Sequence, residues 1–483
     1  MPPLGVLYLA AVLEQKGIDV QIVPADVLGY DWKQIQGVIA DFRPDLLGVT
    51  TTTENRFDSF RLVREAKRAN PTIKTILGGP HISMAKEDTM RHIPDVDFLA
   101  IGEGEETLSE LCDALACGGD VSKVRGLYIR NGGSPIFTGV RPPIADLDRL
   151  PFPARHKVPV DEYRFKVTSR DGRERVAQNM MTSRGCPFNC YFCATPVNWG
   201  RRVRGYTPER ILAEIEHLIE HYGAEFIWIY DDTFNYNPQR VHRTMDMIIE
   251  RKLDIKFACE FRIDVADRPL LEKMVRAGLE LAFFGIEAGS DRIRREVVHK
   301  EFSLDKAFQF LSLAKELGFI PNPFFIFSHH GETWSDAQET IRIIEEVKAV
   351  NPEADISTAI LHVYPGTPLE EIARREGIIP SDFSWAKAAD MKRTFTLPAA
   401  QGHVPLFKHL LSWGQIAELV VRWSATRKKG LSRSKILKVL KTVDSWKSFY
   451  IYTIFFLTMV KLKLKACVAR PRTRSGDASA TST

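Results

Sequence analysis

Three cysteines lie close together in the run RGCPFNCYFC. Cys186, Cys190 and Cys193 have the spacing Cys-x3-Cys-x2-Cys, which lets one loop hold three irons of a cubane [4Fe–4S] cluster and leaves the fourth iron without a protein ligand. An open iron can bind a cofactor or a substrate, whereas a fully ligated cluster can only pass electrons. A loop of this kind has to fold around metal, so it constrains the chain more than any other feature.

Half of a zinc site is the alternative, because Cys-x2-Cys is also common there. A structural zinc site uses four ligands, usually with a second Cys or His pair at comparable spacing. After Cys193 the next histidine is His217 and the next cysteine is Cys259, and each stands alone. The spacing therefore favours the iron–sulfur cluster.

With this motif the chain resembles the radical S-adenosylmethionine (SAM) enzymes, in particular the branch with an N-terminal cobalamin-binding domain. The resemblance covers residues 1 to 390. It implies that the open iron chelates the amino and carboxylate groups of SAM. It also implies that reduction of the cluster breaks the sulfonium C–S bond to give a 5′-deoxyadenosyl radical, with Phe192 beside the adenine.

Alternating β-rich and helical runs predict two α/β domains. The first domain is predicted as a doubly wound parallel sheet with strands at Ile18–Val23, Leu46–Thr51, Ile73–Leu77 and Asp97–Ile101. The second is predicted as a partial (β/α)6 radical SAM barrel with strands at Asn179–Thr182, Phe226–Tyr230, Ile255–Cys259, Leu281–Gly285, Phe324–Phe327 and Ile356–His362.

A length of 483 residues calls for about three domains. We expect a cobalamin-binding-like domain (1–135), a proline-rich linker (136–175), the barrel (176–391), a helical basic segment (392–470) and a disordered tail (471–483). The family normally has one more strand before the run PPLG. Because the chain begins at Met1, either its start is misassigned or the first domain is N-terminally shortened, with its first strand missing.

Three turns at the ends of the first-domain strands resemble the cobalamin site of the family. Thr51 stands 27 residues before Gly78, a spacing by which cobalamin domains admit the nucleotide tail of the cofactor. Glycine allows close approach of the backbone to a bulky ligand. No Asp-x-His-x-x-Gly motif is present, so no axial histidine is predicted, and His81 is expected to be structural. The residues predicted to contact cobalamin are Thr51, Thr52, Gly78, Gly79, Gly102, Glu103 and Gly104.

Polar residues at the ends of the second, third and fourth barrel strands are the predicted SAM contacts. Asp231 and Asp232 match a position near the methionine end of SAM, as acceptors for its ammonium group, with acid–base catalysis as the alternative. Arg262 is expected to pair with the SAM carboxylate or, alternatively, to form an internal salt bridge. Glu287 resembles the acidic residue that reaches the ribose hydroxyls, and Gly285 allows close backbone approach.

The fifth barrel strand departs from the family pattern Gly-Leu-Pro-Gly-Glu-Thr, because Ser-His-His-Gly-Glu-Thr follows it here. His329 and His330 are adjacent at the barrel mouth. They are candidates for a catalytic proton donor or a metal contact, with ordinary loop residues as the alternative.

The C-terminal region is strongly basic in a chain of net charge +5. Phe407–Arg422 and Ser432–Lys447 have helical periodicity, and residues 419–474 contain fifteen Lys or Arg against one acid, Asp444. The apolar run Phe449–Val460 would span about 18 Å as a helix, against about 30 Å of hydrocarbon, so no membrane span is expected. Peripheral contact with the inner face of an anionic membrane, or docking on the barrel, are the two alternatives. Seven cysteines, three of them in one metal motif, fit a cytoplasmic location.

The leading functional hypothesis is a cobalamin-dependent C-methyltransferase acting on a small or lipid-like substrate, with a flavodoxin or ferredoxin as electron donor. An oxidative cyclase of the anaerobic tetrapyrrole type is the first alternative, and a non-catalytic cobalamin- or SAM-binding regulator is the second. A tRNA methylthiotransferase is disfavoured, because the first domain lacks three clustered cysteines for a second cluster. No nucleic-acid partner is expected.

Overall fold

The computed structural model describes residues 1–132, 134–396 and 404–426, together with single positions between 450 and 461. The helices are α1 Leu4–Gln15, α2 Trp32–Phe42, α3 Arg56–Ala69, α4 Pro80–Met84, α5 Lys86–His92, α6 Glu105–Ala116, α7 Thr195–Trp199, α8 Pro208–Tyr222, α9 Pro238–Glu250, α10 Arg268–Arg276, α11 Leu304–Leu317, α12 Trp334–Val350, α13 Pro368–Arg375, α14 Ala388–Met391 and α15 Trp413–Thr426. The strands are β1 Leu46–Thr50, β2 Lys74–Gly78, β3 Phe98–Ala100, β4 Leu127–Asn131, β5 Ser134–Phe137, β6 Lys166–Thr168, β7 Glu174–Met180, β8 Ser183–Arg184, β9 Arg204–Gly205, β10 Phe226–Ile229, β11 Lys256–Glu260, β12 Leu279–Glu287, β13 Ile320–Phe327 and β14 Ser357–Ile360.

The N-terminal sheet has the order β1-β2-β3-β4-β5. Its first three strands are parallel, and the β4–β5 hairpin is antiparallel. Both faces are covered, since Leu77 packs with Phe60 of α3 on one side and Ile76 packs with Leu111 of α6 on the other. Helices on both faces of a parallel sheet confirm the doubly wound prediction.

The predicted strand Ile18–Val23 is wrong, because these residues belong to no ladder in the described part of the chain. The segment still alternates between half-buried and exposed side chains, and Val20 and Ile22 pack against Ala10 and Ala154. A strand also needs a hydrogen-bonding neighbour, and the edge of the sheet is formed by β1.

The second sheet has the order β14-β13-β12-β11-β10-β7-β6. Six consecutive parallel strands confirm the partial (β/α)6 barrel, and β6 adds an antiparallel edge. The first barrel strand runs over Glu174–Met180 and ends before Thr182, which donates its N–H to Asp231 instead of to a ladder. The domain boundaries stay predictions.

The C-terminal region begins as an extended segment. Phe407 donates its N–H to the Leu361 carbonyl (2.8 Å), and Leu406 forms a bridge with His362, so the predicted helix starts at Trp413 and not at Phe407. The predicted helix Ser432–Lys447 and the tail 471–483 lie outside the described residues. Among the described helices, none is both long and apolar enough to cross a bilayer.

Candidate active site

The three cysteines lie in a tight loop at the C-terminal edge of the barrel sheet, directly after β8. Cys193 donates its N–H to the Cys190 carbonyl (3.0 Å), which closes a turn inside the motif. Gly185, just before the motif, has a φ of 101°, and a Cβ there would lie 2.5 Å from the Arg202 carbonyl oxygen. Only glycine fits this position, so the loop enters the barrel mouth in one conformation.

The thiols form a donor set that suits an iron–sulfur cluster. Burial raises the pKa of Cys190 to about 11, with the nearby Cys193 contributing in the same direction, so the two sulfurs are electrostatic neighbours. The pKa of Cys193 is raised by burial in the same way, with Cys186 contributing. Thr195 donates its N–H to the Cys193 Sγ (3.4 Å), the kind of hydrogen bond that cluster sulfurs accept. A metal that takes up thiolates would remove the cost of holding these half-buried groups together.

Asp231 anchors the base of the cysteine loop. Its carboxylate accepts hydrogen bonds from the backbone N–H groups of Thr182 (2.6 Å) and Ser183 (3.0 Å) and from both hydroxyls (2.5 and 2.6 Å). The Arg240 guanidinium lies 3.6 Å away. Both oxygens therefore accept hydrogen bonds within the protein, which gives Asp231 a structural role, and its contact with the SAM ammonium group stays a prediction.

Asp232 and Glu260 keep carboxyl groups facing the barrel mouth. Burial raises the pKa of Asp232 to about 6 and that of Glu260 to about 7, and neighbouring carboxylates add to both shifts. Carboxyl groups with raised pKa values ionise more readily when a cation lies beside them. Two such groups close together therefore suit the ammonium and sulfonium charges of SAM. Glu260 was not predicted as a contact, although its place at the end of β11 is a signal that the sequence carries.

Arg262 is already paired. Its guanidinium donates to both oxygens of Asp264 (2.8 and 2.6 Å) and lies 3.7 Å from the ring centroid of Phe188, which is inside the cysteine motif. The structure shows a local salt bridge, with a residue two positions along the chain and not across the barrel mouth, and the pairing of Arg262 with the SAM carboxylate stays a prediction. Arg262 thereby supports the cysteine loop through a cation–π contact.

Glu287 forms a buried ion pair with Lys300, a residue that the sequence did not single out. The Lys300 Nζ lies 2.7 Å from the Glu287 Oε1 and donates to the Gly285 carbonyl (2.8 Å). Glu287 has a φ of 70° at a register shift between β12 and β13, an unusual conformation for a residue with a side chain. Its Oε2 is buried without a hydrogen-bond partner, which fits a ribose hydroxyl.

Gly285 has a local reason to be glycine. A Cβ at this position would overlap the Glu287 carboxylate and the Lys300 ammonium group. The ion pair therefore gives Gly285 a structural reason to be glycine, and the approach of SAM to its backbone stays a prediction.

The Phe192 ring lies at the barrel mouth against His329. The two ring centroids are 6.0 Å apart, and the Tyr191 hydroxyl lies 3.1 Å from the His329 Nδ1. Burial lowers the pKa of His329 to about 3, so the ring is neutral at ordinary pH and does not serve as a charged acid. Hydrogen bonds from the ring to the backbone of Glu287 and Ile326 oppose this lowering, so the His329 ring is held within the protein beside Phe192.

His330 points away from this group. Its Nε2 lies 3.7 Å from Glu376, whose other oxygen lies 3.9 Å from the His409 Nε2. These three side chains have the composition of a metal site. However, Gly331 donates its N–H to the His409 Nδ1 (3.0 Å), which puts the proton of the neutral ring on Nε2 and removes the lone pair that a metal would need.

The predicted cobalamin turns meet at one edge of the N-terminal sheet. Gly79 has a φ of 94°, and a Cβ there would lie 2.9 Å from the backbone N and O of Thr51. His81 donates its N–H to the Thr51 carbonyl (3.1 Å), so the two turns are joined. The hydroxyl of Thr51 and the Nε2 of His81 are both buried without a partner. Two unused polar atoms beside a glycine-only backbone fit a bulky polar ligand.

The other predicted cobalamin contacts have mixed roles. Thr52 donates its N–H to the Asn55 side chain (2.8 Å), so its backbone belongs to the turn before α3. Glu103 accepts from Arg184 (2.9 Å), Arg204 (2.8 Å) and the Ile144 N–H (2.6 Å). The Glu103 carboxylate is thus used in ion pairs and a hydrogen bond within the protein, and its contact with cobalamin stays a prediction.

The remaining glycines of these turns are open or packed. A Cβ at Gly78 would make an ordinary contact with Ala100 (3.8 Å). A Cβ at Gly102, whose φ is 75°, would have no neighbouring atom within 4 Å among the described residues. Gly104 packs close to Leu9 of α1, with 3.1 Å between the Leu9 Cδ2 and a Cβ built on the glycine. Gly78 and Gly102 therefore stay predicted contacts, whereas Gly104 serves helix packing.

Comparisons with known proteins agree with this arrangement. Residues 1–112 match the model of the B12 binding domain, and residues 180–344 match that of the radical SAM superfamily. An uncharacterized methyltransferase of Pyrococcus horikoshii is 32% identical over 386 residues, which are 80% of this chain and 81% of that protein. The anaerobic magnesium-protoporphyrin IX monomethyl ester cyclase of Rubrivivax gelatinosus is 28% identical over 352 residues, 71% of this chain and 62% of that protein.

Two solved structures share the fold. The cobalamin-dependent SAM radical enzyme OxsB, with aqua-cobalamin and SAM bound, has a TM-score of 0.69 at 15% identity, over 97% of this chain and 73% of that one. The radical SAM methyltransferase TsrM of Kitasatospora setae has a TM-score of 0.66 at 18% identity, over 78% of this chain and 74% of that one.

The chain therefore belongs to the radical SAM family that carries an N-terminal B12-binding domain. It is a radical SAM enzyme, and its cofactors are a [4Fe–4S] cluster, SAM and cobalamin. The sequence-based predictions of family, fold class and cofactors are confirmed. The individual SAM and cobalamin contacts stay predictions.

Proposed function

We propose that the protein is a methyltransferase that places a methyl group on an unactivated carbon of a small or lipid-like molecule. The observation that carries this proposal is the junction of two sites. The turn after β3 in the B12-binding domain is joined by buried ion pairs to the strand that leads into the cysteine loop. A methyl donor and a radical source are useful together only when they face one substrate.

When bound, the reduced cluster and SAM supply a radical that removes a hydrogen atom from the substrate, and methylcobalamin supplies the methyl group. The cysteines Cys186, Cys190 and Cys193 hold the cluster, and Asp231 fixes the start of their loop. The acidic pair Asp232 and Glu260 binds the cationic end of SAM.

The nucleoside end of SAM lies against the next strands. The free Oε2 of Glu287 accepts from a ribose hydroxyl, and Phe192 lies beside the adenine. The neutral His329 ring, held by Tyr191, packs against Phe192 and supports it beside the adenine. In the first domain, the Thr51 hydroxyl and the Gly79 backbone receive the nucleotide tail of cobalamin.

Methyl transfer is favoured over ring closure by the relatives. The relative from Pyrococcus horikoshii, named a methyltransferase, has the higher identity and covers more of both chains. The cytidylyl-2-hydroxyethylphosphonate methyltransferase of Streptomyces wedmorensis is 26% identical over 71% of this chain. The cyclase relative keeps oxidative cyclisation as the second candidate.

The test uses protein reconstituted with iron, sulfide and hydroxocobalamin without oxygen, then reduced and given SAM. We expect 5′-deoxyadenosine to form, and the Cys193→Ala variant to form none while Cys112→Ala, which alters a cysteine outside the motif, behaves as wild type. Absence of 5′-deoxyadenosine from the wild-type protein contradicts the proposal and favours the non-catalytic regulator.

Product mass separates the two reactions. With SAM labelled in the methyl group and a lipid extract or a water-soluble extract as the substrate source, methylation adds one labelled methyl group to a product. Cyclisation removes hydrogens and adds no label. A product with lost hydrogens and no label would replace methyl transfer by the cyclase reaction.

The partners remain proposals of the same kind. A flavodoxin or ferredoxin would supply the electron, and the basic C-terminal segment would contact an anionic membrane surface. Most of that segment lies outside the described residues. Its positive charge supports the membrane contact.

A further inference from the structure

Four buried charged residues connect the two cofactor-binding domains. Glu103 lies in the turn after β3, and Glu105 is the first residue of α6. Arg184 and Arg204 lie on the paired strands β8 and β9; we call these four residues the turn–loop network. Arg184 bridges Glu103 (2.9 Å) and Glu105 (2.6 Å), and Arg204 also binds Glu103 (2.8 Å). Their side chains are at most 6% exposed.

On the cobalamin side, the network continues into the glycine turns. Gly102 donates its N–H to the Ser83 hydroxyl (3.0 Å), and that hydroxyl donates to the Gly79 carbonyl (3.3 Å). The position of Glu103 is therefore tied through two hydrogen bonds to the backbone that lies against Thr51.

On the cluster side, the network ends two residues before the first cysteine. Arg184 pairs with Arg204 across the β8–β9 ladder, and Gly185 then leads directly into Cys186. The Arg184 guanidinium also lies 5.1 Å from the ring of Trp199, at the end of the helix α7 that follows the cysteines. Both ends of the cysteine loop thus contact this one side chain.

We infer that Glu103 and Glu105 are positioning residues that couple cobalamin binding to the order of the cysteine loop. A buried ion pair cannot open without leaving an uncompensated charge, so the turn and the loop move as one unit. When one cofactor orders its side, the other side is ordered as well, and the second cofactor then loses less conformational entropy on binding. By linkage the effect is reciprocal.

The inference rests on the proposed use of both cofactors, and it differs from the sequence prediction that Glu103 contacts cobalamin. A direct contact would strengthen cobalamin binding whether or not the cluster is present. A positioning role changes only the ratio of the cobalamin affinity measured with the cluster to that measured without it. The ratio therefore distinguishes them.

The experiment measures the dissociation constant of hydroxocobalamin by absorbance titration, on full-length protein with and without its cluster. We expect the wild-type protein to bind about fivefold or more tightly when the cluster is present, as typical coupling between sites does. In Glu103→Gln this factor should fall to about one. The matched control is Glu110→Gln, because Glu110 lies on α6, the helix that follows Glu103, and its half-exposed carboxylate pairs with Arg141; its factor should stay at the wild-type value.

Two results overturn the inference: an unchanged factor in Glu103→Gln, or an equal loss of affinity with and without the cluster. If Glu103→Gln does not fold, Glu105→Gln decides, since Glu103 then still pairs with both arginines and the factor should fall part of the way. A second readout is the relaxation of the cob(II)alamin electron spin by the reduced cluster, which weakens when the two sites are no longer held at one separation.

Failure of this inference is distinguishable from failure of the proposed function. The wild-type protein could bind cobalamin and form 5′-deoxyadenosine, yet bind cobalamin equally well with and without the cluster. That result would leave the proposed function standing and would refute the coupling. A wild-type protein that binds no cobalamin contradicts both.

Discussion

The buried ion pair of Glu287 and Lys300 should be the most sensitive point of the SAM site to mutation. In Lys300→Met the ammonium group is replaced by an apolar side chain of similar length, and the Glu287 carboxylate loses its partner. The Gly285 carbonyl loses its donor at the same time. We expect a large loss of stability from this single change.

The magnitude follows from the geometry. At 2.7 Å, with an effective dielectric constant of about 20, two unit charges attract by about 6 kcal/mol. Part of this offsets the cost of removing both groups from water, since their side chains are only 7% and 9% exposed. Removing one partner of such a pair costs about 3–5 kcal/mol, because the other charge stays buried alone.

The assay is urea unfolding of the cofactor-free protein, followed by fluorescence, for Lys300→Met, Glu287→Gln and the double variant. The double variant should regain most of the loss, since it buries no charge. Arg268→Met is the matched control, because Arg268 and Glu316 are also 2.7 Å apart but half-exposed, so its loss should be small.

The reasoning is refuted if Lys300→Met is no less stable than Arg268→Met. It is also refuted if the double variant loses as much as the two single variants together, since that would mean that the two charges do not interact.

Three further predictions concern Gly79 at the cobalamin turns, Glu260 at the SAM site, and Glu332, a buried residue in the loop after β13. Gly79→Ala should lower the free energy of unfolding by about 2–4 kcal/mol and weaken cobalamin binding in a titration, because the new Cβ is strained at a positive φ and clashes with Thr51. Gly17→Ala is the control: Gly17 has a φ of 72° and open space around it, so this variant should show only the backbone strain. SAM should bind more tightly as the pH rises from 6 to 8, because Glu260, with a pKa raised to about 7, becomes negative, and calorimetry on Glu260→Gln should show a flatter pH dependence. Burial raises the pKa of Glu332 to about 8 from an ordinary value of 4.5. The stability that the protonated Glu332 side chain contributes is therefore lost as the pH rises from 4.5 to about 8. Glu332→Gln should therefore gain stability relative to wild type between pH 5 and 8 in thermal unfolding, and a constant difference would contradict the shifted pKa.

Local features of the sequence were sufficient for the class of protein. The spacing of the three cysteines is set within one loop, so it could be read without a fold. The six barrel strands and three strands of the first sheet were predicted because each is a short run of β-branched and apolar residues between helical stretches. Their ends shifted by a few residues where a side chain took over the backbone hydrogen bonds, as Asp231 does at Thr182.

The roles of individual polar residues were less accessible. Asp231 and Asp232 are adjacent and chemically identical, yet one is held by four donors and the other keeps a raised pKa. Glu103 was predicted as a cofactor contact because its turn is typical of the family, whereas its carboxylate is used by two arginines.

The sequence by itself determined the cluster motif, the β/α order and hence the family, because these depend on neighbours along the chain. Only the tertiary structure decided which charged side chains form ion pairs within the protein. Arg184 and Glu103 are 81 residues apart in the sequence. Ile18–Val23 is not a strand, because no strand in the described part of the chain pairs with it. Spacing in the sequence carries no record of such partners, since they are brought together by the packing of two sheets whose contacts join distant parts of the chain.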